Sequence, residues 1–183
     1  DDDYDRYVTI KNHLRKNKYN PKSLYDKSMF NVVDVGFNSI FLKANKDLLK
    51  LLKKFNFEHK NIQKFILKSE NQITKLYNKK KGVFTNYDLK NKKEISVPSI
   101  TNYFILFADL KNQFINKKII KNLKKHNKEK RYLFSSIKPN YNKFEEKRYW
   151  RGPVWINCNW IIYQGLKNKD KKFADKIKET TIN

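Results

Sequence analysis

The sequence has 183 residues, 42 of them Lys or Arg against 18 Asp or Glu, for a formal charge of +24. Hydrophobic residues make up 39% and aromatics 15%, enough apolar surface to offset the entropy of ordering, which excludes a disordered polar chain. One cysteine, Cys158, and three histidines, His13, His59 and His126, without paired ligand spacing exclude an internal disulfide framework and give no ground for a metal or other cofactor.

Hydrophobic periodicity predicts seven helices. The first, about Asp3 to Lys16, sets Tyr7, Val8, Ile10 and Leu14 among charged neighbours and is expected to be half exposed. The second, about Val35 to Phe55, repeats Phe37, Ile40, Phe41, Ala44, Leu48, Leu51, Leu52 and Phe55 at three- and four-residue steps, with Asp34 as N-cap. The third, about His59 to Asn78, turns Ile62, Phe65, Ile66, Ile73, Leu76 and Tyr77 inward and Lys60, Lys64, Lys68 and Lys75 outward. Gly82 breaks that pattern, and VFTNYDLKNKKEISV predicts a hairpin with arms at Val83 to Tyr87 and around Ile95 and a turn near Lys90 to Lys93. Pro98 and Ser99 open a fourth helix, SITNYFILFADL, apolar on nearly every side and so expected to be buried. A Lys-rich fifth helix runs from about Asn116 to His126, and residues 128 to 151 are irregular, with a short strand at YLF. The sixth helix starts at Gly152-Pro153, Pro suiting the first helical position, and continues through VWINCNWIIYQGL. The seventh, about Asp170 to Thr180, is charged again. More exposed and more buried helices thus alternate, the pattern of a ring of inner helices wrapped by outer ones; an irregular helical bundle fits the periodicity equally.

The charge has two readings. One is a nucleic-acid or anionic-lipid surface, which needs Lys and Arg gathered on one face. The other is composition bias: 37 of the 42 basic residues are Lys, and 23 Asn accompany them, as AT-rich codons would produce. The dispersed lysines and the shortage of Arg, whose fork pairs two phosphate acceptors, favour the second, so no nucleic-acid partner is expected. DDDYDRY carries no basic and apolar leader, and no run approaches 18 apolar residues, so neither a membrane partner nor a targeting segment is expected and the location is expected to be cytoplasmic.

Arg148-Tyr149-Trp150-Arg151-Gly152-Pro153-Val154-Trp155 through Trp160 holds all three Trp and two of the five Arg. Aromatic faces beside Arg and Asn donors suit a polyhydroxylated ring, whose C–H faces stack while its hydroxyls hydrogen-bond. The same residues also fit an aromatic core clamp, since buried aromatics mostly pack.

RYWRGPVWINCNWIIYQGL strongly resembles the signature of glycoside hydrolase family 63 and the related mannosylglycerate-hydrolase-like and bacterial α-glucosidase proteins. DVGFNSIFLKANKDLLKL, from Asp34 to Leu51, is similar to the family's D-P-G-F-N-A-I-L-x-R-A-N segment, departing at Val35 and Lys43; DDDYDRY and PSITNYFILFADL match more weakly in the same order. The resemblance implies that residues 1–183 are a fragment of a single (α/α)6 catalytic domain: an all-α partial toroid with one β-hairpin insertion, whose remaining partner is the rest of that domain. It implies an inverting glycosidase of α-glucosidase or mannosylglycerate-hydrolase type acting on a small carbohydrate or glycoside. Tyr149, Trp150 and Trp155 match the family's pocket positions and Arg151 adds a charge-bearing donor close by; these four are the expected substrate-binding residues. The alternative is a basic, non-enzymatic nucleic-acid-binding helical module.

Inversion needs a carboxylic acid and a carboxylate about 6.5–9.5 Å apart, flanking the scissile bond and a water. In the family the acid lies in a D-N-S-type motif upstream of the equivalent of Asp1 and the base Glu downstream of the YWRGP block. The chain contains no Asp-Asn-Ser and is expected to stop short of that Glu, so no catalytic residue is assigned and the chain is expected to be inactive alone. Asp34 reads as a cap or a pocket residue, Asp88 as a turn residue, Asp109 as a residue near a helix end, Glu145-Glu146 as a solvated loop pair, and Cys158 as a packing thiol. Asn157 reads as a helix-packing amide.

Overall fold

A computed structural model describes residues 2–126 and 133–182. Helices dominate: α1 (Asp2–Lys16), α2 (Pro21–Lys27), α3 (Val35–Lys54), α4 (Lys60–Thr74), a 3₁₀ helix (Ile100–Leu106), α5 (Gln113–His126), α6 (Ile156–Leu166) and α7 (Lys171–Ile182). Five short strands accompany them: β1 (Val32–Val33), β2 (Tyr77–Asn78), β3 (Val83–Phe84), β4 (Asn86–Asp88) and β5 (Lys93–Ile95). No helix among the described residues is long and apolar enough to cross a membrane.

The chain divides into two compact units. The smaller, Asp1–Val33 with Tyr87–Ile95, carries α1, α2 and a sheet of order β1-β4-β5 in which Val32 opposes Asp88 and Val33 opposes Tyr87. On α1, Val8, Ile10 and Leu14 are half-buried as expected, whereas Tyr7 is 65% exposed. The periodicity missed α2, a seven-residue helix with Pro21 at its start and Asn20 as its cap, which accepts from the Lys22 and Ser23 amides. It is too short for a helical hydrophobic repeat to register.

The larger unit, Asp34–Asn86 with Ser96–Asn183, holds the core. Its α3 starts where expected: Asp34 Oδ1 accepts from the Phe37 amide at 2.6 Å, and Asp34 Oδ2 accepts from Asn86 Nδ2 at 2.9 Å. It ends where Asn56 takes a left-handed φ of 56°, with Lys53 and Lys54 in the last turn favouring the negative end of the dipole. The buried positions of α3 are Val35, Gly36, Ser39 and Leu42. Most of the apolar repeat read from the sequence, including Phe37, Phe41, Leu48, Leu51 and Phe55, lies on the exposed side instead. Lys46 ties the helix down, its ammonium reaching Glu70 of α4 at 2.5 Å and the Ala108 and Asp109 carbonyls at 2.8 Å each.

The fourth predicted helix is buried as expected but is 3₁₀ rather than α. β-Branched and aromatic residues propagate an α-helix poorly, and here local polar side chains compete: Ser99 Oγ accepts from the Thr101 amide and Asn102 Nδ2 donates to the Val97 carbonyl. Around it pack α3, α5 and α6, with Ile105, Leu106, Ile119, Leu123, Ile162 and Leu166 fully buried. Each such side chain contributes about 1.5–3 kcal/mol by leaving water. Gly165 makes the α6 crossing possible, because a Cβ there would meet the Leu106 and Phe107 backbone at 2.7–2.8 Å.

Two further boundaries differ from expectation. The third predicted helix stops at Thr74, because Tyr77–Asn78 pairs antiparallel with Val83–Phe84, the rings of Tyr77 and Phe84 meeting at 5.3 Å. The first arm of the predicted hairpin is therefore split. Val83–Phe84 folds back onto β2, and Asn86–Asp88 pairs on to β1 and β5. Secondly, the sixth helix begins at Ile156, not at Gly152-Pro153. The backbone of 152–154 is committed to extended pairing, since the Ser136 amide donates to Pro153 O at 2.9 Å and Ser135 bridges Val154. The expected strand at YLF falls partly outside the described residues; Leu133 and Phe134 are irregular.

Candidate functional site

The turn leading into α6 brings together three of the four expected binding residues as one aromatic group. Trp150 and Trp155 stack at 5.4 Å with 30° between their planes. Tyr149 stands edge-on to both, at 5.7 Å from Trp150 and 4.8 Å from Trp155. Such ring pairs contribute about 0.5–1.5 kcal/mol beyond area burial. The Trp155 indole N–H donates to Tyr149 O at 3.0 Å, so its polar edge is spent inside the cluster and its ring backs the others. Tyr149 and Trp150 are 63% and 44% exposed and form a surface, while Trp155 beneath them is half-buried and packs against the core. The third tryptophan goes elsewhere: Trp160 lies against Phe107 at 6.3 Å.

Arg151, the fourth expected residue, points its guanidinium at Glu145 at 3.2 Å, with Arg148 on the same carboxylate at 3.6 Å. Glu145 is thus an ion-pair partner, not the merely solvated residue its position beside lysines suggested. Backbone bonds close the same loop, from Glu145 N to Arg151 O at 2.8 Å and from Arg148 N to Glu145 O at 3.0 Å. Gly152 is required by this closure: a Cβ there would sit 2.0 Å from Glu145 O.

Beneath the turn lie two fully buried polar side chains that the sequence reading passed over. Asn159 Nδ2 donates to Phe134 O and to Trp155 O, both at 2.9 Å, and its Oδ1 accepts from the Phe134 amide at 2.7 Å. Ser136 Oγ accepts from the Gly152 amide at 2.9 Å. An amide four residues after Trp155, on a helix face otherwise occupied by Cys158, Ile162 and Leu166, is the sequence clue to Asn159. No comparable clue marks Ser136. Asn157, expected to pack the helix, is exposed instead, and its side chain accepts from the Cys158 amide next to it.

The remaining candidates have structural roles. Asp34 is the α3 cap. Asp88 closes a turn, accepting from the Lys90 and Asn91 amides and the Asn91 side chain, and these bonds hold its carboxyl below the ordinary value. At Asp109 partial desolvation pushes the carboxyl up, but the Lys169 ammonium at 2.6 Å outweighs it and holds the group low. Cys158 is buried, and burial pushes its thiol up, away from the reactive thiolate. A cleft of about 480 Å³ is lined by His126, Phe134, Lys138, Glu146 and Gly152 among others, and the rings of the platform lie outside it.

Comparison with known proteins gives this geometry a context. The family described as the mannosylglycerate hydrolase MGH1-like glycoside hydrolase domain matches residues 1–183. The mannosylglycerate hydrolase of Thermus thermophilus is 34% identical over 167 residues, which are 91% of this chain and 40% of the relative. The glucosylglycerate hydrolase of Mycolicibacterium hassiacum is 23% identical over 170 residues, 88% of this chain and 38% of its own length. The crystal structure of a family-63 mannosylglycerate hydrolase from Thermus thermophilus in complex with glucose superposes with a TM-score of 0.93 at 32% identity, covering 99% of this chain and 46% of that one. The fold is therefore that of the family-63 (α/α)6 toroids, of which this all-α chain with its small hairpin forms a part. The chain spans about 40% of the length of the curated relatives it matches.

Proposed function

We propose, from the premise that this chain belongs to the mannosylglycerate hydrolase MGH1-like glycoside hydrolase family, that it supplies the aromatic sugar-binding part of an inverting O-glycosyl hydrolase pocket. The observation that carries the reading is the exposed aromatic platform of Tyr149, Trp150 and Trp155, with Arg151 beside it. Tyr149 and Trp150 present exposed rings over the half-buried Trp155, whose indole N–H is satisfied inside the cluster, and sugar C–H faces stack well on such surfaces. The substrate class is a glycosylglycerate or a small α-glucoside. The family favours this over the nucleic-acid reading of the +24 charge, and several lysines have structural roles: Lys46 on Glu70, Lys169 on Asp109, and Lys124 on Asp170 at 2.6 Å.

In this proposal the general acid and base come from the remainder of the same catalytic domain. Glu145, beside the platform, is committed to Arg151 and Arg148, which suits a structural carboxylate better than a proton donor. Residues 1–183 then form one part of a single catalytic domain. The exposed apolar side of α3, with Phe37, Phe41, Leu48, Leu51 and Phe55, is the side that the rest of the ring would cover. The cytoplasm is the proposed location, in keeping with a free buried thiol.

The platform's task is to orient the sugar and hold its distorted ring against the acid and base, a positioning contribution and not a proton transfer. Trp150→Ala in the complete enzyme is expected to lower kcat/KM on mannosylglycerate by roughly 100-fold, as misplacement of a reacting centre does. Unchanged kinetics would remove the platform from the pocket. The 183-residue chain by itself is expected to show no turnover of mannosylglycerate or α-glucosides, and measurable hydrolysis would overturn the division of labour.

A further inference from the structure

We propose that Asn159 and Ser136 are positioning residues that set the stacking of Trp150 on Trp155; this rests on reading residues 149–155 as the sugar platform. The two residues are 1% exposed each, and each side chain makes one bond to the backbone of the turn that carries the rings, Asn159 to Trp155 O and Ser136 to the Gly152 amide. Asn159 makes three hydrogen bonds through its side chain, two on Phe134 and one on the Trp155 carbonyl. It treats Phe134 as a neighbouring strand would, satisfying both its N–H and its C=O. Two residues on, Ser136 binds the other end of the turn, through its hydroxyl to the Gly152 amide and through its own amide to Pro153 O. Behind it, the Ile100 amide donates to Ser136 O at 2.9 Å, so the segment is anchored on the buried 3₁₀ helix.

Both ends of the turn are therefore fixed to one rigid segment, Trp155 through Asn159 and Gly152 through Ser136. Trp150 lies two residues before Gly152, within the loop closed by the bonds between Glu145 and Arg151. A small displacement of the Gly152 amide moves Trp150 against Trp155 directly. An amide in a helix face otherwise built from apolar side chains carries a desolvation cost that a leucine there would not. What the amide adds is a unique geometry, since a fully satisfied buried polar network rigidifies what it bonds.

The test uses the 183-residue chain and the fact that all its tryptophans lie at 150, 155 and 160. Far-UV circular dichroism reads the exciton couplet of the stacked indoles without sugar, and tryptophan fluorescence reads titration with mannosylglycerate. Ser136→Ala is expected to remain folded with a cooperative melt and to lose at least half the couplet. Ser136→Thr, which keeps the hydroxyl, is expected to restore it. Asn159→Asp, of nearly the same volume but without the amide donors, is expected to lose the couplet as well. Where wild type binds mannosylglycerate, Ser136→Ala is expected to bind roughly tenfold more weakly. A folded Ser136→Ala and Asn159→Asp with the full couplet would overturn the assignment, and so would loss of the folded state in both, which makes the network structural only. A wild-type couplet that the two variants abolish, with no fluorescence response of wild type to mannosylglycerate, upholds the positioning role and instead removes the sugar reading.

Discussion

Phe84 and Phe134 are fully buried among other side chains, Phe84 against Tyr77 and Phe134 edge-on to His126 and Phe173 at 6.1 and 6.0 Å. Tyr149, Trp150 and Trp155 touch one another just as closely, yet their cluster faces solvent and is held from below by backbone hydrogen bonds. The rings of the first set are fixed by exclusion of water, although the Phe134 backbone is also bonded to Asn159, and those of the second by polar bonds to the turn that bears them. Rings that serve packing need no individual orientation, because close packing selects one; rings that serve a ligand must hold their orientation while one side is empty. A loss of apolar contact should therefore unfold the first region, and a loss of polar bonds should misalign the second.

The largest expected effect lies in the packed region. Phe84→Ala is expected to destabilise the chain by about 4 kcal/mol, the usual cost of a large cavity in a core that relaxes only partly. The measurement is urea denaturation, with the tryptophan exciton couplet of the remaining native state unchanged. A couplet lost in proportion to stability would mean that the two regions are not distinct.

Next in size is a pH effect within the packed region. His126 is buried against the Tyr103 and Phe134 rings, and neither ring nitrogen has a hydrogen-bond partner among the described residues. Burial, helped by Lys138, pushes its pKa down from 6.5 to about 4. Between those values the unfolded chain binds a proton that the folded chain refuses, so stability is full above pH 6.5 and falls as pH drops toward 4. The shift corresponds to about 3 kcal/mol across that window. His126→Leu is expected to flatten the thermal midpoint between pH 6.5 and 4, leaving the acid loss from Asp47, Asp88, Asp109 and Asp170, whose carboxyls are held low. A wild-type profile already flat there would show a solvated or hydrogen-bonded imidazole.

The same contrast explains what was legible in the sequence. Helix starts written in cap chemistry, such as Asp34 before α3, were readable because one side chain and one amide decide them. So was the buried character of Ile100 to Leu106, since a segment without a polar face has nowhere else to go. Its 3₁₀ winding was not readable, because it depends on local bonds to Val97 and Ser136 that only the folded chain makes. The apolar repeat of α3 gave the helix but not the side that packs: Val35, Ser39 and Leu42 face this unit's core while Phe37, Phe41 and Leu51 do not. At the candidate site, the crowding of Trp and Arg at 148 to 160 was visible in composition. The separation of Trp160 from the other two was not, and neither was Ser136, whose bonds to Gly152 and Pro153 join residues far apart in the chain. The late start of α6 has the same origin, because Pro153 carries a good helix-initiating φ but spends its carbonyl on the Ser136 amide.

The smallest expected effect separates the two kinds of polar contact at the platform. Glu145 bonds Arg151 through its carboxylate at 3.2 Å and, through its backbone amide, the Arg151 carbonyl at 2.8 Å. The carboxylate is about half exposed, so water and salt screen the ion pair, whereas the amide bond closes the loop over Gly152 whatever the side chain. Exposed pairs of this kind contribute about 0–1 kcal/mol. Glu145→Gln keeps the shape and the backbone bond and removes only the charge. It is expected to lower stability by under about 1 kcal/mol, an effect that shrinks further in added salt, and to leave the indole couplet intact. If the couplet instead collapsed in Glu145→Gln while surviving in Ser136→Ala, the rings would be oriented from the solvent side by charge and not from beneath by buried bonds, and the contrast between the two aromatic regions would have to be drawn at the ion pair.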